Sequence, residues 1–508
     1  MKNAKDFKIK LFYPPGTWSA WWRGMYPCTV LPYGMGVLAG VLRKNGYYVE
    51  QDDLLAKTKF FKHTKGIDVS ILTRRNHAER CLHQGILDPN LNQLANQILK
   101  MTSYGVFDII GFSISSYSQF LFALLLAERI KKNTKSVIVF GGAFITLQGY
   151  VFFPKYNFID FMITGNGEKP LLELLHVLQN GGLYENISGL LYRKNSVVKI
   201  TPKERYDIEN MPLPDFDGLD LNLYRDKSKA VDEILLLPYQ ISKGCVHKCS
   251  FCVQRSLEKT NIKSFDKITR EIKCYCEQYK SRHLLFSDWT LNSSYHHMDK
   301  LCDSFIANKL DIRWRGLARV DNLDERLLNK MKKAGCVSLI FGVESGSNKI
   351  LQLMKKGFNA EHSSKILRLT HKTGISVYLT IMVGFPQENK IDVDKTIEFL
   401  KDNSRYISGI FSLNRFLLEL NSPIYRNPEE FGVTNLGVRC DGLHRNYFSF
   451  DEIDGLRWKR KMQQQRKAYQ RVLKVVYYNI FSKHSKRPYL PFLLWLFLMK
   501  KRIIREIG

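Results

Sequence analysis

The chain has 508 residues, 44 % of them hydrophobic, enough for two or three domains with cores of their own. Ten cysteines in that length exclude a disulfide-stapled scaffold, and their scatter fits a reducing cytoplasm; the opening MKNAKDFKIKLFYPP has no apolar run of signal-peptide length. Against 48 Asp and Glu stand 77 Lys and Arg, a net charge of +29 that fits either an anionic partner or a lysine-rich solubilised surface.

Residues 1–180 alternate strands and helices. Strands are expected at 8–13, 47–51, 108–112, 137–140 and 161–164, helices at 33–44 and 118–132, and mostly helical structure over 56–104. This alternation predicts a doubly wound parallel sheet. Ligands on such sheets bind beyond the carboxyl ends of the strands. Ser113, Ser115, Ser116, Gly141, Gly142 and Gly165 fall there. Gly34, Gly36 and Gly40 follow the first strand by about twenty residues and form no GxGxxG, so they predict close packing of the first helix on the sheet. Residues 181–233, centred on MPLPDFDGLDL at 211–221, read as a connecting segment.

Cys245, Cys249 and Cys252 are spaced C-x3-C-x2-C, with Phe251 before the last. Three thiolates on so short a loop can bind three irons of a [4Fe–4S] cubane and leave the fourth without a protein ligand. Thiolates suit iron–sulfur clusters and zinc alike. A closed structural zinc site wants a fourth ligand. Cys274 and Cys276, two apart on a predicted helix, point away from each other, so the cluster is the better reading.

Residues 234–416 repeat a strand–helix unit six times, with strands ending near Ser242, Ser287, Ala318, Gly342, Met382 and Arg415. Six parallel units predict an open, partial TIM-type barrel, with its chemistry at the carboxyl ends of the strands. The cysteine loop follows the first unit's strand. Asp288 (FSDWTLN), Arg319 and Asp321 (LARVD), Glu344 (FGVESGS) and Gly384-Phe385-Pro386 follow the next four.

The cysteine spacing, with Phe251 as the aromatic position, resembles the CxxxCxΦC signature of the radical S-adenosylmethionine (SAM) superfamily. The N-terminal segment looks like the cobalamin-binding domain of its cobalamin-dependent members. Those carry a strand-end GFS, a GG and a GEGE-like turn, matched by Gly111-Phe112-Ser113, Gly141-Gly142 and Gly165-Asn166-Gly167-Glu168. The resemblance runs from about residue 5 to about residue 430. It implies a domain at 1–180 binding cobalamin through Tyr13, Pro14, Ser113, Ser115, Gly141, Gly142, Gly165 and Glu168. It implies a radical SAM barrel at 234–430 with SAM contacts from Phe251, Asp288, Arg319, Glu344 and Gly384. The cluster's open iron would chelate the methionine part of SAM, and one electron from a flavodoxin- or ferredoxin-like reductant would release a 5′-deoxyadenosyl radical. The DxHxxG motif that supplies a cobalt-ligating histidine elsewhere is missing. His63 and Gly66 keep the HxxG spacing, but Phe61 replaces the aspartate, so no histidine ligand to cobalt is expected.

The activity implied is methyl transfer to an unactivated carbon of a small-molecule, lipid or peptide substrate. Cyclisation or rearrangement without methyl transfer is the alternative. The tRNA-modifying methylthiotransferases need a second cluster held by three N-terminal cysteines. Residues 1–244 hold only Cys28 and Cys81, so no nucleic-acid partner is expected. Trp18, Trp21 and Trp22 follow the first strand; at least one is expected to border the cavity between corrin and cluster, with packing between domains as the alternative. The basic C-terminal region, 431–508, carries a helix at 456–478 with an apolar stripe and the apolar run YLPFLLWLFLM at 489–499. Eleven residues are too few to span a bilayer. They cap the barrel or, with the rest of 456–505, lie on a membrane surface.

Overall fold

In β1 (Lys8–Tyr13), Ile9 and Leu11 enter one hydrophobic core and Phe12 the other. A strand apolar on both faces needs a layer on each side. The computed structural model supplies both. It describes residues 7–15, 30–58, 81–83, 88–204, 207–226, 234–253, 260–438 and 447–481. Two compact units meet in sequence between Leu235 and Leu236, and each is described by itself.

The first unit is a seven-stranded sheet of β1, β2 (Tyr48–Asp53), β3 (Ile109–Ser113), β4 (Val137–Gly141), β5 (Phe161–Ile163), β6 (Leu190–Lys194) and β7 (Val197–Ile200), in the order β2-β1-β3-β4-β5-β6-β7. The first five run parallel, and β6 and β7 add antiparallel. Helices Pro89–Leu99, Tyr117–Asn133 and Ala143–Phe152 cover one face over Phe12, Phe112 and Phe140, whose neighbouring rings lie 5.3 and 5.1 Å apart. Helices Tyr33–Lys44 and Glu168–Asn180 cover the other. Strand order reverses between β1 and β3, the switch point at which such sheets open a crevice at their carboxyl ends.

Two expectations change here. The stretch read as a connector, 181–233, carries the β6–β7 hairpin, because Leu190, Leu191 and Tyr192 complete the sheet's core. Gly36 and Gly40 of the first helix admit that stretch rather than the sheet. A Cβ on Gly36 would enter the ring of Phe216, and one on Gly40 would stand 2.5 Å from the Leu213 carbonyl oxygen. Asp215 N–H donates to the Gly36 carbonyl at 2.9 Å.

The second unit is built on six parallel strands: β9 (Ile234–Tyr239), β12 (His283–Phe286), β13 (Arg313–Ala318), β14 (Cys336–Glu344), β15 (Ser376–Val383) and β16 (Gly409–Arg415). Their order is β16-β15-β14-β13-β12-β9, with the short β8 (Arg225–Asp226) antiparallel on β9. The outer strands β9 and β16 are not paired, so the barrel is partial. The pair β10 (Ser242–Lys243) and β11 (Asn261–Ile262) flanks the cysteine loop, and β17 (Leu418–Glu419), β18 (Val433–Val438) and β19 (Tyr447–Glu452) form a small antiparallel sheet. Helix Trp458–Val476 buries Lys461, Gln465, Ala468, Val472 and Val476 at helical spacing. It packs on β15, β16 and helix Lys390–Asp402, so its apolar stripe is spent on the protein's own core. Among the described residues no helix is long and apolar enough to cross a membrane. The 489–499 run lies outside them.

Candidate active site

The cysteine loop leaves β10 through Gly244, whose φ of +80° suits glycine. Cys245, Cys249 and Cys252 are half-buried and in no disulfide, and a turn joins Cys252 N–H to the Cys249 carbonyl at 3.2 Å. Ser250 is the loop's anchor. It is fully buried; its N–H donates to Met354 O at 3.0 Å, its hydroxyl to Leu353 O at 2.9 Å, and its carbonyl accepts from Ile424 N–H at 3.0 Å. Phe251 packs against the apolar cluster of Ile350, Met354, Phe385 and Phe416. A closed zinc site wants a fourth ligand, whereas three thiolates on one short loop suit three irons of a cubane.

Asp288 is fully buried. One oxygen accepts from the Ser242 N–H and from its hydroxyl at 2.6 Å, the other from Ile241 N–H at 3.1 Å. Burial pushes its carboxyl up to about 6, against the pull of these donors and Lys263. Both oxygens thus brace the strand entering the cysteine loop. Arg319 donates from Nε and Nη2 to Asp321 at 2.7 and 3.0 Å, from Nη2 also to the Lys356 carbonyl, and from Nη1 to Cys249 Sγ at 3.5 Å. Its turn is set by buried Asn292, which accepts from Arg319 N–H at 2.9 Å and donates to the carbonyls of Arg319 and Asp321 at 2.8 and 2.7 Å.

Glu344 sits where the β14–β15 register shifts, with φ +71°. Such a bulge re-aims a side chain at a strand end. Its Oε1 accepts from Thr380 Oγ1 at 2.8 Å. Burial raises its pKa, opposed by Lys356, Thr380 and Arg319. Gly384 closes β15 with φ +80°, and a Cβ there would overlap Gln465 of helix Trp458–Val476. The overlap accounts for the glycine without invoking a nucleoside. Gln465 donates to Gly384 O at 2.9 Å, and buried Lys461 donates to Phe385 O at 2.7 Å and pairs with Glu452 at 2.6 Å. Sequence reasoning passed over Ser250, Asn292, Lys356, Lys461 and Gln465. Of these only Asn292 stood in a motif already singled out, FSDWTLN.

In the first unit the carboxyl ends bring together the residues expected at cobalamin. Gln119, fully buried, bridges the switch point: its amide donates to Pro14 O at 3.0 Å and accepts from Ser115 N–H at 2.8 Å. Burial pushes the Tyr13 phenol up to about 12, against its hydrogen bonds to Gln119 and Ser115 and with a further push from Asp53. At Gly142 (φ +104°) a Cβ would stand 2.5 Å from Ile114 O; at Gly141 it would meet only Ile163 O, at 3.8 Å, and at Gly165 only the Lys203 side chain, at 3.6 Å. The protein itself thus crowds Gly142, whereas Gly141 and Gly165 have room for a side chain. Glu168 opens the following helix, buried. His83 faces the hydroxyls of Tyr156 and Tyr117, the latter at 2.9 Å. Trp18, Trp21, Trp22, His63 and Gly66 lie outside the described residues.

The radical SAM superfamily profile matches residues 239–400, the segment that carries the cysteine loop and most of the second sheet. An uncharacterized methyltransferase of Pyrococcus horikoshii is 26 % identical over 301 residues, which cover 58 % of this chain and 64 % of that relative. The radical S-adenosylmethionine methyltransferase TsrM from Kitasatospora setae, solved with cobalamin and a [4Fe-4S] cluster, superposes with a TM-score of 0.59 at 17 % identity over 82 % of this chain and 77 % of its own. The cobalamin-dependent S-adenosylmethionine radical enzyme OxsB, solved with aqua-cobalamin and S-adenosylmethionine, gives 0.65 at 17 % identity over 98 % of this chain and 72 % of its own. With a cysteine triad on a partial barrel, preceded in sequence by a doubly wound sheet, the chain carries a radical SAM domain over 239–400 and shares the fold of these two solved enzymes.

Proposed function

We propose that the protein is a radical SAM methyltransferase that transfers a methyl group to an unactivated carbon. The single observation that carries this is the pairing, in one chain, of a cluster-type thiol triad braced by Ser250 with a doubly wound sheet whose strand ends carry Gly141, Gly142 and Gly165. Bound together, a reduced [4Fe–4S] cluster, SAM and cobalamin supply hydrogen abstraction by a carbon radical and delivery of a methyl group.

The chain's own residues hold and orient these groups. Cys245, Cys249 and Cys252 would ligate the cluster. Arg319 Nη1 donates to Cys249 Sγ, which keeps that thiolate in place and tempers its charge. Glu344, on its bulge, offers a carboxylate oxygen to a ribose hydroxyl or an ammonium, and Phe251 an apolar border for adenine. Asp288 acts as a positioning residue, fixing the entrance of the loop through Ile241 and Ser242. Tyr13, Pro14, Ser113, Ser115 and Glu168 would meet cobalamin from the strand ends that carry these glycines, and Gln119 holds two of those ends in register. An external one-electron reductant and a small-molecule, lipid or peptide substrate complete the reaction.

The test is anaerobic reconstitution with iron, sulfide and cobalamin, followed by mass analysis of turnover products with SAM and dithionite. The reading expects 5′-deoxyadenosine, and S-adenosylhomocysteine once the methyl acceptor is supplied. Cobalamin-loaded protein that forms 5′-deoxyadenosine but never S-adenosylhomocysteine with a consumed acceptor would shift the activity to cyclisation or rearrangement.

A further inference from the structure

Phe251, the residue before Cys252, and Trp458, the first residue of helix Trp458–Val476, pack against the same apolar cluster. Both are half-buried. From Trp458 a column of rings runs inward. Trp458 and Phe450 lie 5.1 Å apart between ring centres, Phe450 and Phe416 5.8 Å, and Phe416 and Phe385 5.1 Å. The helix is tied to this column, since Gln465 donates to the Phe416 carbonyl at 3.3 Å and Lys461 to that of Phe385 at 2.7 Å. An electron crosses closely packed matter of this kind far better than it crosses empty or water-filled gaps. The packing thus joins the cysteine loop to one surface of the second unit.

That surface is basic. Helix Trp458–Val476 holds seven Lys and Arg and no Asp or Glu, whereas helices Phe265–Tyr279, Tyr295–Ala307 and Lys390–Asp402 each mix the two signs. The cations nearer the protein are paired, Lys461 with Glu452 at 2.6 Å and Arg471 with Asp394. Lys459, Arg460, Arg466, Lys467 and Lys474 are exposed and make no ion pair among the described residues. At about 100° per residue they fall within an arc of about 120° opposite the buried face, on a stripe about 22 Å long. The turn before the helix carries Asp451, Glu452 and Asp454, and the first two are taken by Arg457 and Lys461. Unneutralised charge of one sign steers a partner of the other.

We propose that this stripe is the docking surface for the one-electron donor, an acidic flavodoxin- or ferredoxin-like protein, and that the rings behind Trp458 form the packed path toward the cysteine loop. This rests on the radical SAM reading of the site. In the step the donor is oxidised by one electron and the cluster is reduced by one; no bond forms or breaks. A membrane or a nucleic acid would match the charge, but neither gives a reason for the stripe to begin at a column of rings that leads to the cluster packed around Phe251. Contact through exposed, flexible cations suits a donor that must bind, deliver and leave.

The experiment uses the full chain, anaerobically reconstituted, and a purified bacterial flavodoxin. In the stripe variant Lys459, Arg460, Arg466 and Lys467 are changed together to Gln. In the comparison variant Arg270, Lys273, Lys300 and Lys333, exposed on helices Phe265–Tyr279, Tyr295–Ala307 and Glu325–Lys333, are changed in the same way. Affinity is read by calorimetry, apart from any turnover. At low salt the stripe variant should bind flavodoxin on the order of tenfold more weakly, and the comparison variant should stay within about twofold of wild type. Formation of 5′-deoxyadenosine driven by flavodoxin, its reductase and NADPH should fall in step at limiting flavodoxin. The dithionite-driven rate should match wild type, because dithionite needs no docking surface. If ferredoxin alone supports turnover, it takes flavodoxin's place in the comparison. Unchanged affinity in the stripe variant, or equal loss in both variants, overturns the proposal. So does wild type that turns over with dithionite but with neither protein donor. A stripe variant that keeps its donor yet no longer sediments with phosphatidylglycerol vesicles would overturn it in favour of anionic lipid. Wild-type protein that holds its cluster but forms no 5′-deoxyadenosine even with dithionite would overturn the radical SAM reading itself, and this proposal with it.

Discussion

The side chain of Gln465 occupies the space that a Cβ on Gly384 would need, while its amide donates to the Gly384 carbonyl at 2.9 Å and to that of Phe416 at 3.3 Å. A residue far along a basic helix thus fixes the loop that ends β15, and the two positions are coupled.

Gly384→Ala therefore meets both an overlap and a φ of +80°. The expected loss is about 2–4 kcal/mol, read as a lower melting temperature by circular dichroism. Adding Gln465→Ala should recover the part due to overlap and leave about 1 kcal/mol of backbone strain. A Gly384→Ala protein melting within a degree of wild type would contradict the contact.

Glu388 sits beside this loop. One carboxylate oxygen accepts from Gly384 N–H, and the other is buried without a partner. Burial pushes its carboxyl up to about 7, against Gly384 N–H and Lys461 and with help from Asp392. Because the folded pKa lies above the ordinary carboxylate value, the folded state holds the proton between the two. Stability falls as pH rises from about 4.5 to about 7 and stays reduced above that. Glu388→Gln should accordingly stabilise the protein at pH 8 by about 1–3 kcal/mol and make little difference at pH 4. Urea denaturation at the two pH values checks this; an equal effect at both would refute it.

Replacing Cys245, Cys249 and Cys252 together by Ala should reduce reconstituted iron from about four per chain to background and abolish 5′-deoxyadenosine formation. Ser250→Ala removes one buried hydroxyl donor to Leu353 O, a loss of about 1 kcal/mol. Its cluster should still form but bleach faster under a chelator. Retention of SAM cleavage by the triple variant would end the cluster assignment.

Gly142→Ala places a methyl 2.5 Å from the Ile114 carbonyl at a φ of +104°, so the β4 end must shift. Cobalamin uptake, followed by its visible absorbance, should drop at least tenfold, while Gly141→Ala, with nothing closer than 3.8 Å, should have a smaller effect on the fold. In wild type, the Co(II) spin-resonance spectrum should lack nitrogen coupling from a protein imidazole. Clear histidine coupling would refute that expectation.

The sequence by itself determined the two layouts. Strand–helix alternation, read from apolar runs bounded by glycine, placed β1 at 8–13 and the first helix at 33–44, and set six strand ends along the second unit. The C-x3-C-x2-C spacing named its chemistry, because three thiolates that close have few other uses. These features are local, written in neighbouring residues. Only the tertiary structure decided which polar groups have partners. Asp288 and Arg319 looked like free ligands at strand ends, yet Asp288 is engaged by Ser242 and Ile241, and Arg319 by Asp321 on its own turn and by Cys249 and the Lys356 carbonyl from distant segments. Lys356, one of 77 Lys and Arg, is buried with its ammonium near the rings of Phe251 and Phe358. Gln465 and Lys461 belonged to a helix whose charge suggested an exposed face, but they lie against the end of β15. Burial and hydrogen-bond partnership depend on residues distant in sequence, brought near by sheet order and helix packing, and no local pattern encodes them.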